Sequence, residues 1–216
     1  MLTLVIGNKT YSSWSLRAWL ALRQTGLEFD EILVPLSQPN SRAALLEHSP
    51  AGLVPILKHD RLTVWDSLAI IEYLAELCPE AALWPAERDA RAHARSIAAE
   101  MHAGFQALRA NMPMNLRKSL PGRGLTAEVG RDIDRIGAIW RTCRAAFGEG
   151  GPYLFGAFSA ADAMYAPVAT RFRTYGVGLD PVSAAYVEAI HDQPAFRAWH
   201  EAARLEPWVI DEDEVA

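Results

Sequence analysis

The sequence is poor in residues that bring reactive chemistry of their own. Only two cysteines occur among 216 residues, Cys78 and Cys143. They lie far apart, match no CxxC or zinc spacing, and their positions neither require nor forbid a disulfide. The six histidines form no ligand spacing and no HExxH is present, so no metal site is expected. The glycine-rich "FGEGG" at residues 147–151 lacks the GK[ST] of a phosphate loop and reads as a turn between helices. No G-x-S-x-G elbow marks a serine hydrolase. Positive charge is scarce too. Lys and Arg number 21 against 26 Asp and Glu, a net charge of −5, which argues against nucleic acid as a partner. No uncharged apolar run approaches the ~20 residues that span a bilayer, and the N-terminus shows no basic segment followed by a long apolar core. The expectation is a soluble, cytoplasmic protein with no membrane partner.

What is present is ordinary globular composition, half hydrophobic and 22% charged, in a chain long enough for two small domains. Up to about residue 80, short apolar runs alternate with helical patterns. Residues 2–6 and 29–34 read as strands, the second ended by Pro35. Residues 13–24 read as a helix closed by Gly26 at its C-cap, and 41–47 as a short helix. Two further strands, 54–58 and 62–65, are joined by a tight turn at 59–61, and 66–77 carries helical spacing. The order is β-α-β-α-β-β-α. Pro79 and Pro85 punctuate a linker. Beyond it the pattern is helical throughout: 90–111, 126–147, 159–175, 182–191 and 195–204. In the first of these, Met101, Phe105, Leu108 and Met112 repeat at spacings of 4, 3 and 4, predicting one long helix with one apolar face that ends at Pro113. The acidic tail "DEDEVA" reads as frayed.

Three stretches of the first half, "YSSWSLR", "SPAGLVPIL" and "DSLAIIEYL", resemble the thioredoxin-like domain of glutathione transferases. In the second half, "LWP" at the junction and "FSAADAMYAPVATRF" are similar to that family's all-helical domain. Together they cover nearly the whole chain. The fold implied is an α/β thioredoxin-like glutathione-binding domain at 1–80, a linker at 81–89, and an all-α domain at 90–216 carrying a second-substrate pocket. The double serine is most similar to the zeta class, which includes maleylacetoacetate isomerases, but that pattern places a cysteine where this chain has Trp14. The resemblance implies a homodimer with glutathione as co-substrate and no metal. The activity implied is conjugation or isomerisation of a small electrophile, with a non-catalytic binding protein of the same fold as the other reading.

The chemistry the resemblance implies makes sense of the serines. An unperturbed thiol has a pKa of ~8.5 and is mostly protonated at neutral pH. Lowering it by ~2 units takes roughly 2.7 kcal/mol of preferential stabilisation of the anion. A hydroxyl hydrogen bond to a charged group supplies about 1.5–3 kcal/mol, and a helix N-terminus about 0.3–1 more. A serine at the head of the first helix supplies both, as a donor to sulfur. Ser12 falls where serine-using relatives carry the thiol contact, and Ser13 is the second candidate. Both are also ordinary N-cap residue types.

By the same resemblance, Pro55 follows a cis peptide bond and Val54 offers its backbone to the cysteinyl part of glutathione like an added strand. Asp66 and Ser67 open a helix whose N-terminus favours an anion. Ser67 suits the γ-glutamyl carboxylate and Asp66 its ammonium, although a plain N-cap has the same signature. The loop "LSQPNS" at 36–41 approaches the glycyl end. The second-substrate pocket is expected from Trp14, Met101, Phe105, Arg109, Met112 and Arg117. The arginines there form either a pocket for anionic electrophiles or a solvated basic face. Ser159 to Asp162 reads as a capping box that serves folding.

Overall fold

The computed structural model describes residues 1–215. Its first half is a four-stranded mixed sheet with helices on both faces. The elements run β1 (Leu2–Ile6), α1 (Ser13–Thr25), β2 (Asp30–Leu33), α2 (Ser41–Leu46), β3 (Ile56–His59), β4 (Leu62–Trp65) and α3 (Ser67–Leu77). The strand order is β2-β1-β3-β4. β1 pairs parallel with β2, Thr3 opposite Asp30, and antiparallel with β3, Leu4 opposite Leu57. A parallel pair needs a crossover, and α1 supplies it. β3 and β4 form a hairpin in which His59 pairs with Leu62, so its turn is Asp60-Arg61.

Alternation along β1 sorts the two faces of the sheet. Leu2, Leu4 and Ile6 join the main core with α1 and α3, while Val5 packs with Val34, Leu45 and Ile56 on the other face. Gly26 closes α1 in the left-handed conformation at φ 73°, which costs glycine little.

The second half is helical: α4 (Arg88–Ala103), α5 (Gln106–Asn111), α6 (Ala127–Phe147), α7 (Ala160–Thr174), α8 (Pro181–Asp192) and α9 (Pro194–Arg204). The helix expected over 90–111 is two helices. Gly104 takes an extended conformation and Phe105 sits at φ 57°. The Arg109 guanidinium then turns back onto the carbonyls of His102 and Gly104, at 3.3 and 3.4 Å, and satisfies the end of α4. α7 is the centre of the bundle. Nearly all of it is buried, and it packs against α1 and so joins the two halves.

α7 begins at the capping box read from the sequence. Asp162, fully buried, accepts hydrogen bonds from the Ser159 N–H and hydroxyl, from the Leu154 N–H and from the Tyr186 hydroxyl. Over its described residues the tail is not frayed as expected, and Ala216 lies outside them. Residues Asp211–Asp213 form a 3-10 turn, and Glu214 is tied to Tyr11, Asn115 and Lys118. Burial works against the charge on Glu214, but those three donors outweigh it and hold its pKa below the usual value.

Candidate functional site

The expected glutathione-contact residues converge on one cavity. A space of about 210 Å³ on the first half of the chain is lined by Trp14, Ala51, Leu53, Val54, Pro55, Trp65, Asp66 and Ser67. Its floor is the loop before β3, where the Val54–Pro55 peptide is cis. The Val54 N–H and C=O enter no backbone hydrogen bond among the described residues, which leaves an extended edge open to a peptide-like ligand.

Opposite lies the head of α3. Asp66 is its N-cap, held at φ 72°, a conformation non-glycine residues seldom adopt. One carboxylate oxygen accepts the Leu68 and Ala69 N–H groups at 2.8 and 3.4 Å. The other stands 3.3 Å from Nε2 of His102. The hydroxyl of Ser67 is fully buried and has no partner among the described residues. A buried polar atom without a partner is costly, and here it stands in the wall of a cavity at a helix N-terminus, an anion-binding position.

Ser12 and Ser13 sit at the edge of this cavity rather than in its lining, next to Trp14 at the head of α1. Ser12 is the N-cap, and its Oγ accepts the Ser15 N–H at 3.3 Å. The Ser12 and Ser15 hydroxyls are 2.7 Å apart, and the Ser15 oxygen also accepts the Gly7 N–H at 3.0 Å. A hydroxyl rotates to suit its partners. When Ser15 donates to Ser12, the Ser12 proton is free for an outside acceptor. The Ser13 hydroxyl makes no hydrogen bond among the described residues, and its N–H is taken by the Tyr11 carbonyl at 2.9 Å. The Trp14 N–H has no acceptor among them either.

Around Trp14 the structure gathers Arg109, which was expected there, with Arg17 and His102, to which the sequence did not point. The Arg17 guanidinium lies 4.4 Å from the indole centroid and that of Arg109 4.7 Å. The His102 ring meets the indole edge-on at 5.2 Å. Arg17 is fully buried, and its three guanidinium nitrogens have no hydrogen-bond partner among the described residues. Burial, then repulsion from Arg171 and Arg109, lowers its pKa to about 9. Burial and the charge of Arg109 lower Arg171 to about 10. All three guanidiniums remain charged at neutral pH, so the seam behind Trp14 is strongly positive.

The rest of the expected second-substrate pocket does not assemble. Met101 and Met112 are closed in the core at 0% and 1% exposure, and Phe105 packs with them. Their periodic stripe is the core-facing side of α4 and α5. Arg117 is committed elsewhere, donating to the carbonyls of Glu206 and Trp208 and to the Tyr11 hydroxyl. Of that set only Trp14 lines the cavity, and Arg109 lies on the Trp14 ring. A second space of about 310 Å³ between α7, α9 and residues 116–119 takes in none of the expected site residues. Among the described residues no group of His, Cys, Asp and Glu could hold a metal ion, no helix is long and apolar enough to cross a membrane, and both cysteines are free and buried.

A thioredoxin-like α/β domain that carries this cavity and packs through α1 onto α7 of an all-helical domain defines the class of protein. Comparison with known proteins narrows it. Residues 11–77 match the glutathione S-transferase N-terminal domain and residues 124–202 the C-terminal domain of the same family. The chain belongs to the glutathione S-transferase family. It is similar to a probable maleylacetoacetate isomerase of Caenorhabditis elegans, 38% identical over 96 residues that cover 44% of each chain. The chain thus aligns with less than half the length of the curated relatives it matches first. Among solved structures it resembles a glutathione transferase homologue from Burkholderia gl BGR1 with bound glutathione (27% identity, 94% of this chain and 98% of that one, TM-score 0.72). It also resembles a bacterial zeta-class maleyl pyruvate isomerase (25% identity, 96% and 100%, TM-score 0.72).

Proposed function

We propose that this protein binds glutathione in the cavity between the Val54-Pro55 loop and the head of α3, and activates its thiol at the head of α1. The observation that carries the reading is the buried, unpartnered Ser67 hydroxyl at a helix N-terminus, facing an unpaired backbone edge. That arrangement suits the carboxylate and the peptide of a γ-glutamyl tripeptide. In this reading residues 1–80 are the glutathione-binding domain, 81–89 the linker and 90–216 the helical domain. Ser12 donates to the thiolate, Ser15 supplies the proton that Ser12 no longer shares, and the Trp14 N–H and helix dipole add to the stabilisation. The thiol proton leaves to solvent.

The second substrate is a small electrophile bearing carboxylate, and the cluster of Arg17, Arg109 and Arg171 supports that class. Arg109 lies on the ring of Trp14 in the cavity wall, and in this reading its charge attracts such a substrate and stabilises negative charge that grows as sulfur adds. If the electrophile is a cis double bond conjugated to a carbonyl, thiolate addition turns it into a single bond with the charge delocalised on the carbonyl. Rotation and expulsion of the thiolate then return the trans isomer with no net change in protons. This is the isomerase reading the relatives' names suggest, and conjugation is the same addition without expulsion. The reading includes a homodimer in the cytoplasm. Leu53 and Trp65, 65% and 47% exposed beside the cavity, offer apolar surface to a second copy.

Two substitutions test the binding half. Ser67→Ala is expected to raise KM for glutathione about tenfold, the loss of one hydrogen bond to a charged group, with kcat changed much less. A KM equal to wild type moves the γ-glutamyl carboxylate elsewhere. Arg109→Ala is expected to lower kcat/KM for a carboxylate-bearing electrophile about tenfold or more, and that for a neutral one by far less. Equal losses on both remove the anionic substrate class. Retention on immobilised glutathione without turnover of either electrophile would favour the non-catalytic reading.

A further inference from the structure

The six residues between β1 and α1 decide where the serine hydroxyls stand, and the C-terminal half of the chain holds them. Glu206 is buried, 7% exposed. One of its oxygens accepts the Lys9 N–H at 2.6 Å and the other the Thr10 N–H at 3.0 Å. The Lys9 carbonyl accepts the indole N–H of Trp199 at 2.9 Å, and the Thr10 carbonyl accepts the Leu116 N–H at 3.3 Å. The Thr10 hydroxyl donates to the Ala203 carbonyl at 3.0 Å. Tyr11 N–H and C=O bond locally, to Asn8 and Ser13. Every backbone polar group of residues 9–11 is therefore fixed, and four of the six are fixed from the C-terminal half.

The clamp is itself braced. Arg117 donates to the carbonyl of Glu206 at 2.8 Å, to that of Trp208 at 2.7 Å and to the Tyr11 hydroxyl at 2.8 Å. The Tyr11 hydroxyl donates to Glu214 at 2.6 Å. A carboxylate is suited to this place because it accepts on both oxygens and donates nothing. Two adjacent N–H groups met by one anion are charge-assisted bonds, stronger than neutral ones. Their effect is concentrated just ahead of Ser12, whose own N–H bonds the Asn8 carbonyl at 2.8 Å.

We infer that Glu206 is a positioning residue for the thiol-activating turn: its carboxylate, steadied by Arg117, fixes the height of Ser12 and Ser13 at the head of α1. The C-terminal segment is thereby mechanically part of the active site while touching neither substrate. This inference rests on the proposed role of the serine turn.

Glu206→Gln is the test, because the amide keeps the volume but turns an NH2 toward one of two N–H donors. Three quantities are read together: the apparent pKa of glutathione's thiol in the complex, kcat with KM for glutathione, and Tm. Thr126→Ala serves as the comparison. It removes the α6 N-cap bond to Val129, far from the turn, and should lower Tm by about 2–4 °C. Expected for Glu206→Gln is a thiol pKa raised by about one unit and kcat lowered about tenfold, the scale of one charge-assisted bond, while Thr126→Ala leaves both unchanged at a comparable Tm. If Glu206→Gln fails to fold, Arg117→Lys, which loosens the brace on the Glu206 and Trp208 carbonyls and on the Tyr11 hydroxyl, should shift the same pKa and kcat in the same direction by about threefold. A thiol pKa in Glu206→Gln, or in Arg117→Lys, equal to wild type with only Tm reduced makes the clamp purely structural and overturns the inference. Ordinary thiol acidity in the wild-type complex overturns the proposed function as well.

Discussion

Ser12→Ala should lower kcat/KM about 10–100-fold with an electrophile whose reaction is limited by thiolate attack, and Ser13→Ala should cost no more than about threefold. The first figure is the loss of one hydroxyl hydrogen bond to an anion, about 1.5–3 kcal/mol. The asymmetry comes from the local network. Ser12 carries the N-cap oxygen and its hydroxyl donates to that of Ser15, which is fully buried and fixed by the Gly7 N–H. When Ser15 turns to donate back to Ser12, the Ser12 proton is released to the thiolate. The Ser13 hydroxyl is held by no hydrogen bond among the described residues, so it contributes little preorganised charge. The pH profile separates the alternatives further. Loss of the donor should move the rising limb of kcat/KM toward the pKa of free glutathione, whereas a variant that only disturbs binding leaves the limb in place. Ser13→Ala crippled beside a near-normal Ser12→Ala would transfer the role to Ser13.

The largest stability effect is expected at Asp162. Asp162→Ala leaves the Leu154 N–H, the Ser159 N–H and hydroxyl and the Tyr186 hydroxyl without their shared acceptor in a dry core. Stranding several buried donors costs about 3–5 kcal/mol, which in a chain of this length is a fall in Tm of about 10 °C. The charge has its own signature. Burial holds the Asp162 pKa up at about 6 against the hydrogen bonds that oppose it, from an ordinary value of 3.8. Between those pH values the folded chain binds more protons than the unfolded one. This contribution to stability is fully present below 3.8 and is lost as pH rises through about 6. Asp162→Asn, neutral throughout, should flatten that part of the stability profile by equilibrium unfolding. An unchanged slope would assign it to other groups.

Much of this architecture was legible because local rules agreed with the fold. Residues 2–6 alternate their faces, Gly26 supplies the left-handed cap, and the β3–β4 turn is short. The β-α-β-α-β-β-α order followed from those signals, as did the all-helical remainder. The break between α4 and α5 was not legible. One glycine inside a helical pattern costs only about 1 kcal/mol, and the left-handed Phe105 has no sequence signature. The methionine stripe illustrates a different limit. Periodicity identifies a buried face but not what buries it, and here the answer was the core, which removed Met101 and Met112 from the substrate pocket. Arg109 and Arg117 are neighbours in sequence and look alike there, yet the chain folds one onto Trp14 and the other onto the C-terminal segment. Glu206, His102 and the burial of Arg17 were invisible for one shared reason. Their partners are set by tertiary proximity, across as many as 197 residues for Glu206 and Lys9, and no local pattern records it.

Titration of the thiol in the glutathione complex, followed by the ultraviolet absorbance of the thiolate, bears most directly on the central claim that the head of α1 holds a sulfur anion. A hydroxyl donor together with the helix N-terminus predicts a midpoint about 2 units below the ~8.5 of an unperturbed thiol. A midpoint at or above the value of free glutathione, in a complex shown to be saturated, would contradict it.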